Sequence, residues 1–282
     1  MSIVSVLIPT FNRASVIERA VNSVLNQTVQ DLECLVIDDN STDETVAILA
    51  RIDDPRLKVI SHDKNGGVSK ARNTGFQHSS GPWIALLDSD DEWLPNRLEL
   101  QLELAKNHPQ LPLIHGEEVW VRNGKRVNLP KNYKKSGGAI FNKCLHLCLI
   151  SPSATLMKRD LYEEMNGFRE DYPVCEDYEL WLRITAKYKV GFVEEPIVIK
   201  YGGHEDQLSS RYKAMDYWRV LAMHEVFQTG GLSADEESEL RKVLLKKCEI
   251  LRLGYLKHQN LLHLPFIEKL LAQYQGQIQD DN

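Results

Sequence analysis

The sequence predicts an α/β protein: a sheet that begins parallel, with helices packed on both of its faces. Short β-branched apolar runs alternate with helix-length segments through the first hundred residues, which is how strands joined by crossover helices look in sequence. The runs are apolar almost throughout, as strands buried on both faces are. Each run ends in polar residues: Pro9-Thr10-Phe11-Asn12-Arg13, Asp38-Asp39, His62-Asp63-Lys64-Asn65 and Asp88-Ser89-Asp90. In such sheets the carboxyl ends of the strands share one edge, and ligands bind there.

Ile3–Ile8 is the first strand, stopped by Pro9. From Ala14 to Leu25, apolar residues at Val16, Ile17, Ala20, Val21 and Val24 keep the helical period. Glu33–Ile37 is a second strand, halted by Asp38-Asp39-Asn40, and Ser41-Thr42-Asp43-Glu44 has the form of a capping box that starts a helix. Leu57–Ile60 is a third strand. Asn65-Gly66-Gly67 leads into a helix that runs to about His78, and 83–87 is the fourth strand. Trp93-Leu94-Pro95 then opens a helix over Arg97–Lys106. Beyond it, strands are expected at Leu113–His115, Glu117–Val121, Ser153–Met157, Val190–Val193 and Ile197–Tyr201. A Gly- and Lys-rich turn falls around 122–138, and Glu176–Tyr188 is helical. From about Asp206 the chain turns to long helices, 212–228 and 235–257, and the tail after Gly276 is expected to fray.

Composition narrows the function. A chain of 282 residues, 43% hydrophobic and 26% charged, has room for one large core or two modest ones. Its net charge of −6 argues against a general nucleic-acid binder, which needs a basic footprint. No apolar stretch approaches the roughly 18 residues of a membrane span. Residues 1–8 lack a basic start and a small-residue cleavage site, so they read as a strand and not a signal peptide. The five cysteines are odd in number and scattered, which suits a reducing, cytoplasmic setting. Cys144-Leu145-His146-Leu147-Cys148 has no second ligand pair at zinc spacing and reads as thiols on an apolar helix.

The chemistry starts from the apolar run Trp83–Leu87, which ends in Asp88, Asp90 and Asp91. Bare carboxylates cannot be buried unpaired, so they sit in water or on a cation. Hard oxygen ligands that are close but few suit Mg²⁺ or Mn²⁺ shared with substrate phosphates. At the turn, Asp88 and Asp90 can face one ligand, while Asp91 reads as a solvated neighbour that helps start the next helix. Glu176-Asp177 opens a helix, where acids offset the dipole; a carboxylate there that deprotonates a hydroxyl is the functional reading. His204 follows the flexible Gly202-Gly203 and could complete a metal site or touch a diphosphate. Gly66-Gly67, with Lys70 and Arg72 close behind, can attract an anion to a helix start, though it lacks P-loop and Rossmann spacing.

Taken together, Val4 to Arg13, Val36 to Asp43, Asn65-Gly66-Gly67 to Arg72-Asn73, Leu87 to Asp91 and Glu176 to Trp181 resemble family 2 glycosyltransferases. The resemblance covers roughly residues 3–205. It implies an inverting enzyme with the GT-A fold, a Rossmann-like mixed sheet flanked by helices, here with a C-terminal helical extension. By that resemblance residues 1–95 are the nucleotide-binding half, 96–205 the acceptor half, and 206–282 a helical region. Pro9, Thr10, Phe11, Asn12, Arg13 and Asp39 grip the base and ribose, usually of a uridine nucleotide, with Arg72 nearby. Asp88, Ser89 and Asp90 form the DxD element, with Asp90 as direct metal ligand, Asp88 on ribose or ion, and His204 closing the site. Asp177 is the general base and Glu176 supports it. Asn166-Gly167-Phe168 shapes the acceptor side. Divalent Mn²⁺ or Mg²⁺, a UDP-sugar donor and a saccharide or lipid-linked saccharide acceptor are the implied partners.

The helix after the base reads Leu180-Trp181-Leu182-Arg183-Ile184, not the Gln-x-x-Arg-Trp of processive synthases, so one sugar is added per encounter. Two rivals are weaker. A sugar-1-phosphate nucleotidyltransferase would carry a Gly-rich basic loop where Pro9–Asn12 stands, and a silent binding module would have lost Asp90 or Asp177. Between 240 and 258, Arg241, Lys242, Lys246, Lys247, Arg252 and Lys257 face Glu249 alone. Such a helix can lie at the inner face of a membrane; packing on the catalytic domain or a second subunit, as a homodimer, is the favoured reading.

Overall fold

The computed structural model describes residues 2–128, 133–203 and 215–280, with side chains as far as 275. The first half runs β1 (Val4–Thr10), α1 (Ile17–Leu25), β2 (Leu32–Asp38), α2 (Thr45–Leu49), β3 (Leu57–Ser61), α3 (Val68–Gln77), β4 (Trp83–Leu86), β5 (Glu92–Trp93) and α4 (Arg97–Asn107). There follow β6 (Leu113–Arg122), β7 (Lys125–Val127), α5 (Phe141–His146), β8 (Leu156–Lys158), α6 (Arg159–Glu164), α7 (Glu176–Lys187) and β9 (Gly191–Gly202). Three helices close the chain: α8 (Asp216–Thr229), α9 (Ala234–His258) and α10 (Leu264–Asp280).

The strands form one mixed sheet in the order β3-β2-β1-β4-β8-β6-β9-β5, with β7 paired to β6. β1 to β4 are mutually parallel, and β8 turns the sheet antiparallel. β1 and β2 are buried along their whole length, because alternate residues fill the cores on opposite faces. Val4, Val6 and Ile8 face one, and Leu7, Leu35 and Ile37 the other. Edge strand β3 is largely exposed.

Several elements depart from the sequence reading. β1 runs through Pro9 to Thr10. Leu7 and Pro9 point their backbone groups the same way, and β4 pairing ends where the Leu87 N–H donates to the Leu7 carbonyl at 3.1 Å. The missing proline N–H therefore falls beyond the end of the β1–β4 ladder. Ser41–Glu44 forms no capping box; α2 starts at Thr45. Glu92–Trp93 is a short strand on β9 and does not open α4. The two strands expected at 113–121 are one, bulged around Gly116–Glu118, and those at 190–201 are also one. Ser153 lies in a 3₁₀ turn, Pro152–Ala154, before β8. α10 was not anticipated, although Leu264, Ile267, Leu270, Leu271 and Tyr274 keep helical spacing and are buried.

One hydrophobic core runs from Leu7 in β1 through α5 and α7 to Tyr274 in α10. The C-terminal helices thus share the catalytic sheet's core on one face. The expected boundary near residue 205 lies outside the described residues. Among the described residues, no helix is long and apolar enough to cross a membrane.

Candidate active site

The loops after β1 and β2 are laced together. Asn12, at φ 52°, donates its N–H to Ser41 Oγ at 2.8 Å, and its Oδ1 accepts from the Thr42 N–H at 2.8 Å. The Arg13 N–H donates to Thr45 Oγ1 at 2.8 Å and the Ala14 N–H to Asp43 Oδ2 at 3.0 Å. The polar run that reads as a capping box is spent on holding the Phe11–Arg13 loop. Phe11 is 38% exposed at its tip, Thr10 is buried and Pro9 lies in the strand.

Asp39 is buried, and its carboxylate accepts from the Gly66 and Gly67 N–H groups at 2.8 and 2.7 Å and meets His62 Nδ1 at 2.8 Å. The glycine pair is therefore not an open anion site: Asp39 takes its donors and fixes the turn into α3. Gly67, at φ 88°, makes that turn, in a region open to glycine at little cost.

The acidic turn after β4 is built around two cations, Arg72 and Lys200. Asp88 Oδ1 accepts from Arg72 Nη2 at 2.9 Å, Asp88 Oδ2 lies 3.7 Å from Lys200 Nζ, and the Asp88 N–H donates to Ser153 Oγ at 3.1 Å. Burial raises the Asp88 pKa, but Arg72 and Lys200 outweigh it and the net shift is downward. Ser89 is buried in the turn. Asp91 is not a solvated neighbour. It is 1% exposed, accepts from Ser153 Oγ at 2.5 Å and from the Tyr201 N–H at 3.2 Å, and pairs with Lys200 at 2.9 Å. Burial pushes it up to about 7 despite Lys200. Desolvation explains why the expectation failed, since a buried carboxylate needs such partners.

Asp90 differs from both neighbours. Arg19 Nη2 donates to its backbone carbonyl at 2.6 Å, while its carboxylate takes no side-chain hydrogen bond or ion pair among the described residues. Burial, and then the charge of Asp88, raise its pKa against the opposing charges of Lys200 and Arg13. An under-compensated carboxylate beside a second one fits a hard divalent cation. Among the described residues, no group of three or more His, Cys, Asp or Glu side chains is placed to hold a metal. His204 lies outside the described residues.

Arg72 joins this turn to α7. Its Nη1 donates to Glu176 Oε1 at 2.8 Å, and its guanidinium lies 4.7 Å from the centre of the Phe168 ring. Glu176 is pushed up to about 7, by burial first and by Asp177 second, with Arg72 opposing. Cys175, at φ 61°, turns the backbone into α7, a conformation costly for a side chain with a Cβ. Half-buried Asp177 follows, and Cys148 Sγ donates to its Oδ2 at 3.3 Å. Asn73 Nδ2 donates to the Phe168 carbonyl at 2.8 Å, which docks the Asn166–Phe168 turn on α3.

Sequence reasoning missed the roles of Lys200, Ser153 and Cys148, the last read as a thiol on an apolar helix although it lies past the end of α5. A lysine ending the apolar run Ile197–Ile199 was the visible sign of the first; the other two became visible only in three dimensions. It also missed the Glu118–Lys135 pair at 2.7 Å, both side chains fully buried. Beside Cys148, a cavity of about 740 Å³ is lined by Lys134, Ser136, Lys143, His146, Leu147 and Leu149.

The family model described as glycosyl transferase family 2 matches residues 5–165, more than half of the chain. The chain belongs to glycosyl transferase family 2. This family 2 glycosyltransferase is 31% identical over 223 residues to the Escherichia coli UDP-Glc:alpha-D-GlcNAc-diphosphoundecaprenol beta-1,3-glucosyltransferase WfgD, a match covering 78% of this chain and 85% of that one. Some other curated relatives are longer, and the match spans 28% to 32% of their length. Among solved structures it is similar to S. aureus TarS in complex with UDP-GlcNAc, with TM-score 0.69 and 22% identity over 90% of this chain and 73% of that one. It is also similar to the mannosyltransferase PcManGT from Pyrobaculum calidifontis in complex with GDP-Man and Mn²⁺, with TM-score 0.63 and 20% identity over 97% and 75% of the two chains. The fold is GT-A, with a C-terminal helical extension.

Proposed function

We propose that this glycosyltransferase moves one sugar per encounter, with inversion, from a UDP-sugar to an acceptor hydroxyl, with Asp177 as general base. The observation that carries the reading is the Arg72 bridge, 2.9 Å to Asp88 and 2.8 Å to Glu176. It ties the acidic turn at the donor strand ends to the carboxylate pair that starts α7. The Pro9–Arg13 loop and the turn fixed by Asp39 enclose the nucleoside. Asp90, with Asp88, would hold a divalent cation, which supplies charge neutralisation for the departing diphosphate. Asp177, on the acceptor side, takes the proton of the attacking hydroxyl, and Glu176 holds that helix start to Arg72. WfgD, by its name, acts on a diphosphate-linked lipid. The cavity beside Cys148 offers Lys134, Lys143 and His146 over Leu147 and Leu149, which suits a phosphate-bearing acceptor of that class.

Incubation with a panel of nucleotide-sugars, with and without Mn²⁺, tests the donor through slow hydrolysis. The anomeric configuration of the product, read by NMR, tests inversion. Asp177→Asn should keep UDP binding and lose roughly 10²-fold or more in turnover; full activity in that variant removes Asp177 from the mechanism.

A further inference from the structure

Large apolar side chains left exposed are few among the described residues, and more than half of them are gathered in one place. Of nine, five lie between 250 and 262: Ile250 (55% exposed), Leu253 (54%), Leu256 (48%), Leu261 (58%) and Leu262 (80%). The packing expected of α9 is present on its other face, where Leu240, Val243, Leu244, Cys248, Leu251 and Tyr255 are buried as the helix packs on α5, α8 and α10. The outward face carries Lys242, Lys246, Ile250, Leu253, Leu256 and Lys257, all exposed. At 3.6 residues per turn these six fall within an arc of roughly 120°. The chain then turns at Gln259, at φ 54°, and presents Leu261 and Leu262 beside the helix end.

Asp235 shares this arc in the first turn of the helix, but from Glu239 onward the unpaired charge on the face is positive. Glu249 is held by Arg252 at 2.7 Å and Glu239 lies 3.6 Å from Lys242, while Lys246 and Lys257 have no acidic partner among the described residues. A second copy seated on the face about a twofold axis would set these lysines against one another. A surface with negative headgroups over an apolar interior complements both features, the leucines entering it and the lysine stems reaching the headgroups.

We propose that the outward face of α9, with the Leu261-Leu262 turn, seats the protein on an anionic lipid surface. The same helix reaches the cavity: Glu239 in its first turns meets His146 Nε2, which lines it, at 2.9 Å. Eleven residues separate Glu239 from Ile250, a rise of roughly 16 Å, so one rigid helix spans the distance from cavity to lipid. The inference goes beyond the proposed chemistry and does not depend on it, because vesicle binding needs no turnover.

The test is co-sedimentation of the full chain with vesicles of equal parts phosphatidylcholine and phosphatidylglycerol, beside vesicles of phosphatidylcholine alone. The chain should partition at least ten-fold more strongly onto the anionic vesicles, and salt should weaken the binding. Leu253→Gln/Leu256→Gln/Leu262→Ser and, separately, Lys246→Glu/Lys257→Glu should each lower partitioning about ten-fold or more. Both should keep the far-UV spectrum and the slow donor hydrolysis of the parent chain. Equal recovery from the two vesicle types, or full binding by the folded variants, overturns the proposal. So does a homodimer in light scattering that the leucine substitutions dissociate.

Discussion

Replacing Arg72 by methionine removes the guanidinium that holds both Asp88 and Glu176, and the cost follows from the geometry. Behind contacts of 2.9 and 2.8 Å the charge centres lie about 4 Å apart, worth roughly 4 kcal/mol each at an effective dielectric constant near 20. The two sides do not lose equally. Glu176 already sits at about 7, so at neutral pH it can take a proton for well under about 1 kcal/mol once its partner is gone. Asp88 is held low by Arg72 and Lys200; it keeps its charge, although at 26% exposure water offsets part of the loss. The net destabilisation is about 3 kcal/mol, the low end for a broken buried pair.

Urea unfolding followed by tryptophan fluorescence at pH 7 should show the midpoint falling with the slope unchanged. The sign with pH is fixed. The folded pKa of Glu176 is raised from 4.5 to about 7, so its contribution is complete below 4.5 and lost as pH rises through 7. Without Arg72 that folded value climbs further, and the deficit against the parent chain widens above pH 7 by up to about 1.4 kcal/mol per unit. Glu176→Gln added to Arg72→Met should abolish the widening. Parallel stability curves above pH 7, or a double-mutant cycle additive within about 0.3 kcal/mol, would refute the bridge as the coupling element.

Asp90→Ala should remove the Mn²⁺-dependent part of UDP binding, and calorimetry that is unchanged with and without the ion would argue against the site. His115 is fully buried and pushed down from 6.5 to about 3, by burial and then by Lys135. The unfolded chain therefore binds the proton that the folded chain refuses, and the parent loses up to about 1.4 kcal/mol per pH unit as pH falls below 6.5. His115→Gln, which can still donate to the Ser136 carbonyl, should lose less over that range in urea midpoints; identical slopes would count against it. Gly75→Ala would place its Cβ 2.6 Å from Ile37 Cδ1. Overpacking of about 1–3 kcal/mol should exceed the helix-propensity gain of about 1 kcal/mol, so a raised Tm would contradict the packing.

The strands and helices of the first half were legible because buried parallel strands leave continuous apolar runs and helices on them keep a 3.6-residue period. Later boundaries were harder to read. A bulge at Gly116–Glu118 interrupts the apolar pattern of β6 without ending the strand. Ser41-Thr42-Asp43-Glu44 matched a local capping rule, yet a distant loop claimed its side chains through Asn12. Asp88, Asp90, Glu176 and Asp177 were legible as acids at the ends of elements. The cation that each one meets was not, because Arg72 and Lys200 lie far from them along the chain.

By itself the sequence determined the family, the order of the strands' polar exits and the residue types that meet at the sheet edge. Local periodicity and short motifs carry that information. Only the tertiary structure decided the electrostatics. Arg72 lies 104 positions from Glu176 and 16 from Asp88, and the fold places it between them. Lys200 comes 109 residues after Asp91 and makes that aspartate an internal partner instead of a wet neighbour. Coulomb interactions and desolvation depend on distance in space and on the exclusion of water, and a linear chain records neither.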